Sequence, residues 1–418
     1  MSWSRRRFLN TSLSSSTLVA MGSTTIPTFL SRSAQAARSS KANERILVVV
    51  QLLGGNDGLN TVVPHGIDGY NRARRLLRLP AGQLHKITPE IGLHPSMGAM
   101  AKLLEKGRLV VIQGVGYPNP DRSHFRSMEI WETARLGNDA KALETGWLGR
   151  ALDARAPKAG QDPPGLHIGG RSMPLAMRTK KTEVPSIESL ESYKLQLAGT
   201  AQEQRAERGA LNQLAAMDRR GDDPLLGFIS RTTLSAYESS GRLEQLAKKT
   251  QTGPKYPNFG LARRLELIAQ IIKADFGTRI FYTSLDGFDT HANQLGSHAA
   301  LLNELADSIG AFHDDLSAAG QADRVATLTF SEFGRRVQEN ASQGTDHGAA
   351  APLFLVGPAK KPGLCGAHPS LDDLDDGDLK FHTDFRRVYA SLLGDWLDCA
   401  PEPIVGPGFE RMALLRRT

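Results

Sequence analysis

The chain has 418 residues with 51 Lys and Arg, 44 Asp and Glu, a formal charge of +7 and two cysteines; that length holds one large domain, or a domain carrying an insertion. The charge is small for the length and no basic stripe is interleaved with aromatics, so nucleic-acid binding has no support. Cys365 and Cys399 are too few for a disulfide framework, and without a C-x-x-C pair they argue against a thiolate zinc site; they either pair in an oxidising compartment or stay free.

The N-terminus reads as an export address. Ser4-Arg5-Arg6-Arg7-Phe8-Leu9 fits the twin-arginine pattern, an apolar Ser-rich stretch runs from about Leu13 to Leu30, and Ala34-Gln35-Ala36 offers a small-x-small cleavage site. Residues 1–36 are therefore expected to be a signal peptide engaged by the twin-arginine translocase. Residues 37–418 would be the mature domain, delivered folded to the periplasm. The alternative is an uncleaved anchor, but Ser, Thr and Pro27 interrupt the apolar stretch and make it a poor span. Its loss removes Arg5, Arg6, Arg7 and Arg32 and no acid, which takes the charge from +7 to +3. No second long apolar run follows, so the mature chain is expected to have no stable membrane span. A route that carries folded cargo also favours a passenger with a bound metal or cofactor.

Beyond the address, short apolar runs alternate with helical patterns. Arg45–Leu53, Arg108–Gln113, Arg279–Ser284, Val325–Phe330 and Leu353–Val356 read as buried strands. Nearly continuous apolar runs indicate strands covered on both faces, as in a parallel sheet between helices. Pro95–Glu105, Leu261–Phe276, His298–Ala318 and Phe385–Leu397 carry apolar residues at helical spacing. The expected fold is a three-layer α/β/α sandwich with a mostly parallel central sheet. From about Ser186 to 250 the chain is rich in Gln, Glu, Ala, Leu and Arg and shows no strand signal. It reads as a helical insertion placed as a cap.

In an open parallel sheet, ligands bind beyond the carboxyl ends of the strands. The first strand is followed by Gly54-Gly55-Asn56-Asp57-Gly58, where Asp57 is either a hard oxygen ligand or a turn residue capping amides. The second strand leads to Asp121-Arg122-Ser123-His124-Phe125, in which Ser123 is a candidate nucleophile or an ordinary loop serine. Asp286-Gly287-Phe288-Asp289-Thr290-His291 places two carboxylates and an imidazole at a strand end, the donors a zinc-like ion takes where thiolates are absent. Ser331-Glu332-Phe333-Gly334-Arg335 supplies a carboxylate and a guanidinium suited to phosphate or sulfate oxygens, or merely opens a helix. Thr345-Asp346-His347-Gly348 precedes the last strand. The acidic run Asp372–Asp378 lacks calcium-loop spacing and reads as a solvated loop. No G-x-S-x-G elbow is present, which argues against a serine hydrolase.

Together, G-G-N-D-G-L-N at Gly54–Asn60, S-H-F at Ser123–Phe125, G-F-D-T-H at Gly287–His291, S-E-F-G-R at Ser331–Arg335, T-D-H-G at Thr345–Gly348 and T-D-F-R at Thr383–Arg386 resemble the domain-of-unknown-function family 1501. That family is similar to the alkaline phosphatase and sulfatase superfamily. The resemblance implies an alkaline-phosphatase-like fold and an exported hydrolase of phosphate or sulfate esters, on a small molecule or a polysaccharide. It implies one or two divalent metals, zinc first, with calcium or magnesium as alternatives because one superfamily imidazole is replaced by Glu332-Phe333. Asp57 would bridge the metals. Asp289 and His291 would hold one, with His347 as its last ligand, and Glu332 the other; a second alignment makes Asp346 and His347 the superfamily's Asp-His pair and so moves His347 to the other metal. Ser123 would be the nucleophile, His124 would protonate or orient, and Arg335 or Arg122 would hold the equatorial oxygens. The rival reading is a non-catalytic periplasmic binding or interaction protein on the same fold.

Overall fold

Seven residues in a row, Ile46–Leu52 (β1), are buried on both faces of a strand. Only a central position between two helical layers permits that. In a computed structural model that describes residues 44–137, 143–155, 162–170, 172–188 and 255–417, β1 lies inside a nine-stranded sheet. The other strands are Leu109–Gly116 (β2), Gly165–Ile168 (β3), Ser186–Ile187 (β4), Ile280–Leu285 (β5), Val325–Ser331 (β6), Ala351–Val356 (β7), Gly363–Cys365 (β8) and Thr383–Asp384 (β9). Their order is β8-β2-β7-β6-β1-β5-β3-β4, with β9 also paired to β2. All pairings are parallel except those of β7, which runs antiparallel to both β2 and β6.

Alternation along β1 assigns the two faces. Ile46, Val48, Val50 and Leu52 pack against Gly98–Glu105 (α1), Gly260–Lys273 (α4) and Gln294–Ala318 (α5). Leu47 and Val49 pack on the other side against His124–Thr133 (α2), Trp147–Asp153 (α3) and Phe385–Ser391 (α6). The expected three-layer α/β/α sandwich is therefore present. Trp131, Trp147 and Trp396 are fully buried in the second layer, and the indole of Trp396 donates to the Ile46 carbonyl at 2.9 Å. Each such side chain removes enough apolar area from water to contribute roughly 2–3 kcal/mol.

Several elements differ from the sequence expectation. β2 continues past Gln113 to Gly116 through an irregularity in its pairing with its antiparallel neighbour β7, at which Gly114 takes a positive φ of 57°. β3 and β4 were not expected; Ser186–Ile187 is a short edge strand where the helical insertion was expected to begin. The rest of that insertion from 189, and the expected signal peptide, lie outside the described residues. The helix from Phe385 changes at Leu392–Trp396 into a wider π turn. Among the described residues no helix is long and apolar enough to cross a membrane. Cys365 and Cys399 are both free thiols.

Candidate metal centre

Register brings the candidate residues to one rim. Leu52 at the end of β1 pairs with Leu285 of β5 and with Ser331 of β6, so three parallel strands stop at the same level. Their continuations carry Asp57, Asp289–His291 and Glu332. The segment with Asp346 and His347 precedes its strand, and a parallel strand would have put it at the opposite edge. Because β7 is antiparallel, with Ala351 opposite Val115 at the end of β2, that segment reaches the same rim. β2 then delivers Ser123 and His124 to the head of α2.

Four side chains converge there. Asp289 Oδ1 lies 3.0 Å from His291 Nε2 and 3.1 Å from His347 Nε2, and Asp289 Oδ2 lies 3.5 Å from His124 Nε2. The two nitrogens of His291 and His347 are 3.0 Å apart. His124, Asp289 and His347 each offer an atom such that all lie within 4.8 Å of one another.

The opposite nitrogen of each ring identifies its tautomer. His347 Nδ1 meets the Arg122 carbonyl at 2.8 Å, and a carbonyl can only accept. His124 Nδ1 meets the Glu332 carboxylate at 2.9 Å, and His291 Nδ1 meets Asp346 at 3.2 Å. If Nδ1 donates in all three and the rings carry no second proton, the lone pair of each Nε2 turns toward the Asp289 carboxylate. Three lone pairs and an anion at one point repel unless a cation or protons lie among them. The donor set of imidazole and carboxylate fits a zinc-class ion, and outer acceptors on each Nδ1 are the usual support of ligating histidines. Calcium and magnesium prefer all-oxygen sites, which this is not.

The surroundings fix these side chains. Buried Phe333 packs its ring 4.9 Å from that of His124 and 4.5 Å from that of His347. Glu332 is buried and also accepts from Gly54 N at 2.8 Å and Ser331 Oγ at 3.2 Å. Its hydrogen bond to His124, together with its charge, raises that imidazole's pKa against the effect of burial. Partial burial pushes the Asp289 pKa up, but the Arg335 hydrogen bond, the contact with His347 and neighbouring positive charge bring it down to about 2. Gly54 has φ +118°, and a Cβ there would stand 2.3 Å from Asp289 N, so this turn admits no side chain.

Several expected roles change with the geometry. Arg335 has no exposed face: its side chain is fully buried and donates to the carbonyls of Gly54, Gly55, Phe288 and Thr345 and, at 2.7 Å, to Asp289. It braces the loops rather than clamping an ester. Glu332 and Asp346 stand behind imidazoles instead of joining the cluster. His124, expected beside the nucleophile as a proton handler, points into the cluster. Asp57 is absent from it, because both its oxygens are paired with Arg74, a residue without any local sequence signal. Ser123 is exposed at the head of α2; its amide donates to Asp121 at 2.7 Å and its hydroxyl caps nothing. Arg122 is not free either, holding Asp378 at 2.7 Å and Asp376 at 3.1 Å, so the acidic run is partly a buried anchor rather than a solvated loop.

A family model described as protein of unknown function, DUF1501, matches residues 44–378. The chain belongs to that family. No curated protein matches it in sequence. Among solved structures it is similar to the PsFucS1 sulfatase from Pseudoalteromonas sp., at 9% identity and a TM-score of 0.37 over 81% of this chain and 67% of that one. A protein in the alkaline phosphatase superfamily from Vibrio parahaemolyticus matches at 10% identity and a TM-score of 0.34, over 78% and 64%. The C-terminal periplasmic domain of EcEptC from Escherichia coli matches at 13% identity and a TM-score of 0.33, over 89% of each chain. These likenesses are distant.

Proposed function

We propose that this DUF1501 member is an exported, metal-dependent hydrolase of phosphate or sulfate esters. The observation that carries the reading is the convergence of His124, His291 and His347 on Asp289, each ring with its Nδ1 on an outer acceptor. His124, His347 and Asp289 would hold the ion, with His291 as a fourth donor. When bound, such an ion neutralises charge on the ester oxygens and favours deprotonation of a nearby hydroxyl. Ser123, exposed and one residue from a ligand, is the nucleophile in this reading. Its Oγ forms a bond to phosphorus or sulfur and loses its proton. The alcohol leaves with a proton, and water then cleaves the seryl ester. The substrate is an anionic ester on a small molecule or polysaccharide, and delivery through the twin-arginine translocase to the periplasm completes the proposal.

The test is a screen of aryl phosphate and aryl sulfate esters with zinc-loaded protein, alongside Ser123→Ala. Turnover by the parent and its loss in the variant support the reading; full activity in Ser123→Ala removes the nucleophile. A second reading, a binding protein with a closed structural ion, is favoured by the presence of four donors, since zinc sites with four protein ligands leave no position for substrate. Under it the loaded protein turns over no ester, and ion removal lowers stability alone.

A further inference from the structure

The superfamily resemblance implies a second metal bridged by Asp57, and the residues around Asp57 do not fit one. Its side chain is fully buried, as is that of Arg74. Arg74 Nη1 meets Asp57 Oδ2 at 2.5 Å and Nη2 meets Oδ1 at 2.9 Å, a two-pronged pairing that occupies both oxygens. The rest of the guanidinium is also engaged: Nε donates to the Val337 carbonyl at 2.7 Å and Nη2 to the Arg336 carbonyl at 3.0 Å. A divalent cation on Asp57 would have to lie against this buried positive charge or displace it. The neighbouring imidazole, His298, is turned to Asn56 Oδ1 at 2.9 Å and Thr61 Oγ1 at 3.4 Å, not to Asp57.

The pair is linked to the metal centre through one amide. Gln294 donates from Nε2 to Asp57 and accepts at Oε1 from Thr345 Oγ1 at 2.7 Å and from Thr290 Oγ1 at 3.1 Å. Thr290 precedes His291, and Thr345 stands two residues before His347. The loops themselves join where Thr345 N donates to the Thr290 carbonyl at 3.3 Å.

We infer that the centre is mononuclear: the Arg74 guanidinium stands as the fixed cation of Asp57, and the Arg74–Asp57–Gln294 chain positions the two ligand loops. The inference rests on the proposed metal centre for its single ion and says that no second one joins it. Asp57, Arg74 and Gln294 are positioning residues; none touches the ion.

The experiment is zinc titration into the metal-stripped mature chain, read by calorimetry and by elemental analysis after desalting. The parent is expected to retain one equivalent. Asp57→Asn leaves Arg74 buried without its partner and is expected to lower the melting temperature. The double variant Asp57→Asn, Arg74→Met removes both charges and keeps the proposal testable should the single variant not fold. Either folded variant is expected to retain one equivalent, with its affinity weakened by about tenfold as the two ligand loops lose their support. Gln294→Ala is expected to weaken zinc affinity about tenfold, with Gln294→Glu failing to restore it, because a carboxylate would face Asp57. Two equivalents in the parent, one of them lost with Asp57, would overturn the inference and leave the proposed function standing. No equivalents at all would remove the metal centre and the inference with it.

Discussion

At the residue scale, the proposed metal centre depends on lone pairs and protons rather than on proximity. His124, His291 and His347 each have Nδ1 on an acceptor, and this turns three Nε2 atoms toward Asp289. Replacing an outer acceptor should therefore weaken the ion without removing a ligand. Glu332→Gln is expected to lower zinc affinity about 10–100-fold with the fold intact, which a competition titration against a chelator would read. Unchanged affinity would mean that His124 is not a ligand. Gly54→Ala is a sharper test of placement. The added carbon would meet the Asp289 backbone, which cannot swing away as a side chain tip can. Zinc retention should fall to background while circular dichroism keeps its α/β signature. Some of this was legible beforehand: aspartate, glutamate and histidine just beyond apolar runs pointed to the rim. Which carboxylate ligates and which only supports was not legible, because Asp57, Asp289 and Asp346 look alike in sequence. They differ only through partners far along the chain, such as Arg74 for Asp57 and Arg335 for Asp289.

At the element scale, direction is decisive. The apolar run before Val356 announced a strand, yet its sequence could not say that β7 runs against its neighbours. Periodicity reports burial, not polarity. Only the antiparallel course carries His347 to the rim where β1, β5 and β6 end. The hairpin around Asp376–Asp378 plays a supporting part that composition concealed. Buried Asp378 receives Arg122 through Nε at 2.9 Å and Nη2 at 2.7 Å, and the Arg122 carbonyl receives His347. Asp378→Ala should leave that guanidinium half-unpaired and loosen the loop. The expected outcome is a melting temperature a few degrees lower and zinc affinity reduced about tenfold, measured by scanning calorimetry with and without zinc. The exposed Asp376 contact to the same arginine should matter little, because solvent and salt screen a surface ion pair.

At the scale of the whole molecule, pH tests the burial pattern independently of any ion. Glu132 is buried, and although backbone amides and Gln51 oppose the effect, desolvation raises its pKa to about 7. The native chain then holds a proton that the unfolded chain has released between about 4.5 and 7, so stability falls as pH rises through that window. Glu132→Gln removes this dependence. Relative to the parent, the variant should gain stability between pH 5 and pH 8 by up to the order of 3 kcal/mol, read from urea midpoints. A difference independent of pH would mean that Glu132 is already ionised in the fold. His313 and His167 act in the opposite sense. Burial lowers them to about 3 and about 4, so the unfolded chain binds more protons below about 6.5, and stability declines as pH falls from there. The alternation of apolar runs and helical patterns was enough to anticipate the three layers. It gave no sign of β3 and β4, short strands with little apolar length to mark them, the first with a glycine and a histidine within it.

The proposed function stands or falls with a metal centre formed by His124, Asp289, His291 and His347. The most direct measurement is elemental analysis by mass spectrometry of the purified protein, beside an Asp289→Ala, His347→Ala double variant. The proposed centre predicts about one divalent ion per chain, zinc first, in the parent and none in the folded variant. A parent that carries no ion and takes up none on titration, or a double variant that keeps its ion, would contradict it.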